Sequence, residues 1–174
     1  LLAIGVGASL TATSDPSLLP SLPLQILRQS TLGGAIIENV LGAGILGVPP
    51  GLENSPQIAA IMIPLHPVAI AGFISLIVNA LSLIPVGFTD GGRVALALFG
   101  RDAKLAIGSI FLVSLLFVGI SGSDLFLFYF GFVAAFQTGN EIPCRNEVDK
   151  LSFERVLVAT AGMVLMLLTL SPFK

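Results

Sequence analysis

Between Leu105 and Asn140 the chain carries a single formal charge, Asp124. Two apolar runs fill that stretch, AIGSIFLVSLLFVGI at 106–120 and LFLFYFGFVAAF at 125–136, parted by the polar turn Ser121-Gly122-Ser123-Asp124. A bilayer crossing takes about 20 mostly apolar residues. Runs of this kind read as a helical hairpin in a nonaqueous surround. The rest of the chain agrees. Of its 174 residues 55% are hydrophobic and 10% are charged, and the mean hydropathy is +0.99. A soluble domain carries about 25% charge. Eighteen charged side chains (eight Lys plus Arg, ten Asp plus Glu) cannot cover the surface of a soluble fold this size. A soluble enzyme is excluded on that ground, and disorder on the high hydrophobicity. A net charge of −2 without a basic patch excludes nucleic acid as a partner. The class left is all-α, a polytopic membrane protein of about four to five spans.

The spans can be placed. Residues 1–13 are apolar but short, and the opening Leu1-Leu2-Ala3 suggests a part of a longer polypeptide. Ser14–Pro23 holds three prolines and reads as a loop. Leu24–Val48 has helical apolar spacing but carries Arg28 and Glu38, so it is expected along the interface or re-entering the membrane. Pro49–Gln57 is a turn-rich loop. Pro67–Ile84 is a span with a favourable N-terminal proline. Arg93–Gly100 is a short helix, followed by spans at 104–120, 125–137 and 153–170. The expected organisation is a first region at 1–57, partial span plus loop plus interfacial helix, and a C-terminal membrane domain at 58–174.

Six of the eight basic residues bracket the 104–137 hairpin: Arg93, Arg101 and Lys104 before it, Arg145, Lys150 and Arg155 after it. The positive-inside rule puts loops 93–104 and 139–155 on the cytoplasmic face, or the stromal face in a plastid.

Asp90 is the anomaly. A carboxylate between apolar stretches costs roughly 2.5–3.5 kcal/mol at membrane depth, and such groups usually face a polar cavity, a partner or a metal. Pro85 and Gly87 before it, and Gly91 and Gly92 after it, let the backbone break there. A second reading stays open, in which Asp90 caps a helix starting at Gly91.

The stretch SLIPVGFTDGGR, Ser82–Arg93, resembles the N-x-x-P-x-x-x-x-D-G motif of the site-2 protease family of intramembrane zinc metalloproteases. With LPLQILRQSTLGG at 22–34, IPLHPVAIAGF at 63–73 and PVGFTDGGRVALALFGR at 85–101, the chain is similar to the plastid EGY-type branch. That resemblance implies a zinc site in which the Asp of the motif, here Asp90, is the third ligand, shaped by Pro85, Gly91 and Gly92. It also implies an H-E-x-x-H helix supplying two histidines and a general base, with a metal-bound water attacking a peptide bond in the membrane. Substrates would be transmembrane protein segments, and the location a plastid thylakoid or envelope.

Two departures stand out. This chain has no H-E-x-x-H; its only histidine, His66, precedes Pro67 and suits a capping or interfacial role. The Asn of the motif falls at Ser82, with Asn79 one helical turn earlier as the other candidate for orienting substrate. The alternative is therefore a non-catalytic relative, a structural or assembly subunit of a thylakoid pigment–protein complex. That relative would contact partner subunits, membrane lipids and a bound pigment or lipid instead of zinc. A transporter fits poorly, because Asp90 alone offers an intramembrane charge to couple ions.

The remaining residues have two readings each. Arg93 pairs with Asp90 or snorkels to the interface. Glu38 and Asn39 face headgroups or line a cavity. The aromatic series Phe126, Phe128, Tyr129, Phe130, Phe132 and Phe136 faces lipid, or a partner or flat pigment. Cys144 is single, so no internal disulfide forms.

Overall fold

The computed structural model describes residues 1–11, 19–48, 61–122, 124–137 and 151–172. These are mostly helical: α1 (Leu2–Thr11), α2 (Leu24–Leu27), α3 (Thr31–Leu41), α4 (Pro67–Ser82), α5 (Asp90–Ile120), α6 (Asp124–Phe136) and α7 (Phe153–Leu170). An antiparallel pair, β1 (Ser21–Pro23) with β2 (Met62–Pro64), was not expected of an all-α chain. The loops expected at 49–57 and over most of 14–23, and the polar stretch with Arg145, Lys150 and Cys144, lie outside the described residues.

Contacts divide the chain into two units, Leu1–Ala80 with Leu167–Lys174, and Leu81–Met166. In the first unit the strand pair runs in the register Ser21↔Pro64, Leu22↔Ile63 and Pro23↔Met62. Both prolines take ladder positions that need no N–H, which is why a proline-rich segment can still pair. The pairing continues past each end, with Leu24 N–H donating to the Ile61 oxygen and Leu65 N–H to that of Pro20.

The expected single helix over 24–48 is in fact two. Ser30 separates α2 from α3, its hydroxyl accepting the Gly33 N–H at 3.0 Å as the N-cap. Gly42 at φ +124 ends α3, a conformation that a Cβ would disfavour. The Arg28 guanidinium donates to the Leu46 oxygen at 3.0 Å and holds the following turn. Leu24, Leu27, Ile37, Leu46, Leu65 and Phe73 form the fully buried centre of this unit.

Two glycines set how closely α1 and α4 approach. A Cβ on Gly5 would collide with the Val68–Ala69 backbone, and one on Gly72 would lie 2.5 Å from the Leu2 nitrogen. Small residues at such crossings let backbones meet without hydrocarbon between them. The N-terminus of α4 is capped by His66, whose Nδ1 accepts the Val68 N–H at 3.3 Å. Its own N–H donates to the Ser9 hydroxyl at 2.8 Å.

The second unit contains the hairpin. Helices α5 and α6 are joined through Ser121-Gly122, with Gly122 at φ +113. Gly119 admits α6: a Cβ there would sit 2.8 Å from the Leu127 Cα. Helix α5 is interrupted at Gly100, φ 81 and ψ 179, between the short helix and the apolar run expected from the sequence.

Among the described residues two helices, Asp90–Ile120 and Phe153–Leu170, are long and apolar enough to cross a membrane. Helices α3, α4 and α6 are apolar but shorter, with 11, 16 and 13 residues. Large apolar side chains stay on the outside of α5 and α7, among them Leu105, Ile110, Phe117, Leu157 and Val158.

The close crossing is testable within α1. Gly5→Val should cost on the order of 1–3 kcal/mol through overpacking against Ala69. Gly7→Val, where a Cβ meets open space, should leave the stability within about 0.5 kcal/mol of wild type. Thermal unfolding in one detergent compares the pair.

Candidate functional site

Proline creates this site. In an α-helix the Leu81 carbonyl would accept the N–H of residue 85, but Pro85 has none. Helix α4 therefore stops at Ser82, and residues 83–89 run through turns and bends. The Leu81 oxygen is served from two other sources. Ile84 N–H reaches it at 3.1 Å, and the Tyr129 hydroxyl of α6 donates to it at 2.6 Å. Ile84, Pro85 and Val86 are buried beneath the turn.

Thr89 then starts the next helix. Its hydroxyl accepts the Gly92 N–H at 3.1 Å, and it lies 2.6 Å from the Ile84 oxygen and 2.8 Å from that of Val86. The cap is thus Thr89, and Asp90 is the first helical residue, so the expected alternative of an Asp90 cap is corrected by one position. The Asp90 side chain is exposed and sits at the N-terminus of α5, where the helix dipole favours a carboxylate.

The two glycines after it are required by close backbone approach. A Cβ on Gly91 would collide with the Leu83 carbonyl, and one on Gly92 would sit 2.5 Å from the Gly87 oxygen. Gly87 takes φ +57, and a Cβ on it would lie 2.5 Å from the Gln137 backbone oxygen. Downstream, Gly108 of α5 passes over the turn, its Cβ position 3.2 Å from the Pro85 oxygen. The glycines and Pro85 form one tightly packed reversal with Asp90 at its outer edge.

Ser82, Pro85, Asp90, Gly91 and Gly92 fall together in the second unit, whereas Asn79 belongs to the first. The Asn79 amide donates to the Ser75 oxygen one turn back, at 2.7 Å. Arg93 is exposed on the first turn of α5. Tyr129, grouped by sequence with the lipid-facing aromatics, is instead buried and tied to Leu81. Being the chain's single tyrosine among twelve phenylalanines was the one available signal for it. Gln137, at the end of α6 and against Gly87, had no such signal.

Zinc needs more than this unit offers. A catalytic zinc takes three protein ligands and leaves a fourth position open. Among the described residues no three of His, Cys, Asp and Glu come together to hold a metal ion. Asp90 is one suitable oxygen donor, so the described residues do not hold zinc by themselves.

The turn's own supports can be separated by mutation. Thr89→Ala should lose about 1 kcal/mol with the cap, and Thr89→Ser should recover it. Hydrogen exchange at the Gly91–Arg93 amides reads the effect locally. Tyr129→Phe should cost about 0.5–1.5 kcal/mol by removing the donor to Leu81, seen as a lower melting midpoint with the helical content kept.

No family model and no solved structure matches the chain. Curated relatives do. "Probable zinc metalloprotease EGY3, chloroplastic" of Oryza sativa subsp. indica is 37% identical over 111 residues, 63% of this chain and 19% of that protein. "Probable zinc metallopeptidase EGY3, chloroplastic" of Arabidopsis thaliana is 33% identical over 110 residues, again 63% and 19%. "Probable zinc metalloprotease EGY1, chloroplastic" of Arabidopsis thaliana is 30% identical over 154 residues, 88% of this chain and 26% of that protein. The chain thus spans about a fifth to a quarter of the length of these relatives. The D-G turn lies inside the region of resemblance, and these matches support the EGY-type, site-2-protease-like family for this chain.

Proposed function

We propose that this chain forms part of a membrane-embedded zinc metalloprotease that cleaves transmembrane segments, and that Asp90 is its contribution to the metal. The observation that carries this reading is the turn itself. Proline breaks one helix, threonine starts the next, and glycines at 91 and 92 press the junction together, so that a carboxylate stands at a helix start between two apolar helices. The proline, the glycines and the Thr89 cap account for the turn, and Asp90 adds a carboxylate that the helix dipole favours at that position and that a metal could use.

In this reading α4, α6 and the partial span at 1–13 join the two long helices in the membrane, giving the four to five spans and the broken segment at 85–92. The basic segments, 93–104 within α5 and 139–155 ahead of and entering α7, face the stroma, in thylakoid or envelope. The remaining ligands and the general base belong to an H-E-x-x-H helix elsewhere in the protein. Ser82 stands where the motif has Asn, and it offers substrate one hydroxyl in place of an amide.

A second reading has its own support. On α6, Phe128, Phe132 and Phe136 recur every fourth residue and are exposed, the last two with ring centroids 5.4 Å apart. Together with Ser82 in place of Asn, that face suits a non-catalytic subunit packed against another membrane protein or a flat pigment of a thylakoid complex.

Metal analysis of the full-length protein decides between them. The protease reading expects about one zinc per chain, lost in Asp90→Ala without loss of folded protein. Zinc-free wild-type protein that co-purifies in a pigment–protein assembly would replace it with the second reading.

A further inference from the structure

Among the described residues one buried side-chain polar atom has no hydrogen-bond partner, the amide oxygen of Gln137. Buried polar groups in folded proteins are almost always paired, and one that is not calls for a reason. Its position supplies one. Gln137 closes α6, its N–H bonded to the Val133 oxygen at 2.9 Å. Its backbone oxygen and Cβ press against Gly87, at 2.5 Å and 2.8 Å from where a Cβ would stand. Gly87 lies three residues before Asp90 and is the positive-φ pivot of the turn. The residue that carries the unpaired acceptor is therefore packed, through its backbone oxygen and Cβ, against the pivot of the loop that presents the carboxylate.

A transmembrane segment has the complementary deficiency. To expose a peptide bond it must unwind, and each N–H it frees has no water to bond in hydrocarbon. Such a donor needs an acceptor that the protein has not already used and that solvent does not occupy. We infer that the Gln137 amide oxygen accepts a hydrogen bond from a backbone N–H of an unwound transmembrane segment bound beside the Gly87–Asp90 turn. This deepens the proposed function by naming how the site grips its substrate, and it makes Gln137 a substrate-binding residue for backbone, not side chain. It also replaces, from the neighbouring helix, some of the amide chemistry lost with Ser82.

The test uses the full-length protein in lipid vesicles. The probe is a fluorescently labelled single-span Leu/Ala peptide with a central Gly-Pro break, and ester analogues lacking one backbone N–H at each position flanking the break. Wild type should bind the all-amide peptide about three- to tenfold more tightly than one of the esters, the size of a single neutral hydrogen bond. Gln137→Met should bind both with the weaker affinity. It should also melt at a higher temperature than wild type, because it removes an unpaired buried polar atom at nearly constant volume. Gln137→Glu, which keeps an acceptor, should retain the discrimination between amide and ester. The inference is overturned if Gln137→Met binds the amide peptide as wild type does, if wild type ignores every ester substitution, or if Gln137→Met melts lower than wild type. A zinc assay on the same wild-type sample separates the two claims. Zinc absent with discrimination intact removes the metalloprotease reading and leaves Gln137 as a binding residue. Zinc present with Gln137→Met unchanged removes only the role of Gln137.

Discussion

One missing N–H governs the second unit. Pro85 cannot donate to the Leu81 carbonyl, so α4 cannot continue, and in an apolar surround the freed oxygen must find another donor. Ile84 and Tyr129 supply it. The consequence is a reversal fixed at both ends: Tyr129 of α6 holds the stop of one helix, and Thr89 caps the start of the next. Among the described residues, Ser82, Pro85, Asp90, Gly91 and Gly92 all lie on that short stretch or at its ends.

Close packing then narrows what the reversal can do. Gly91 and Gly92 press against the Leu83 and Gly87 carbonyls, and Gly87 presses against Gln137. Any side chain at these positions would push the turn open, and with it the first turn of α5 on which Asp90 stands. The carboxylate is thus rigidly based although it is exposed, which is the condition a ligand-bearing position needs: its support is locked by its neighbours and not by its own contacts.

Much of this could be read from residues in order. The proline, the glycines and the acid of the turn are adjacent in sequence, and each acts through local backbone geometry. The helices at 67–82, 124–136 and 153–170 follow from apolar runs bounded by proline, a polar turn or charge. The strand pair was not legible, because three residues carry no periodicity and prolines there look like loop punctuation. The split of 24–48 into two helices was missed for a related reason: Ser30 is one residue, and its value as a cap depends on which N–H stands above it.

The amino-acid order by itself determined that the chain is mostly helical and strongly apolar, where its helix breaks, and that an acid follows the break, since these depend on composition and on chemistry within one helical turn. Only the tertiary structure decided which residues serve that break. Thr89 rather than Asp90 caps the helix, Tyr129 turns inward from an aromatic row, and Gln137 reaches Gly87 across 50 positions of chain. Those assignments require knowing which donor faces which acceptor, and that follows from how helices pack, which no local pattern of residues encodes.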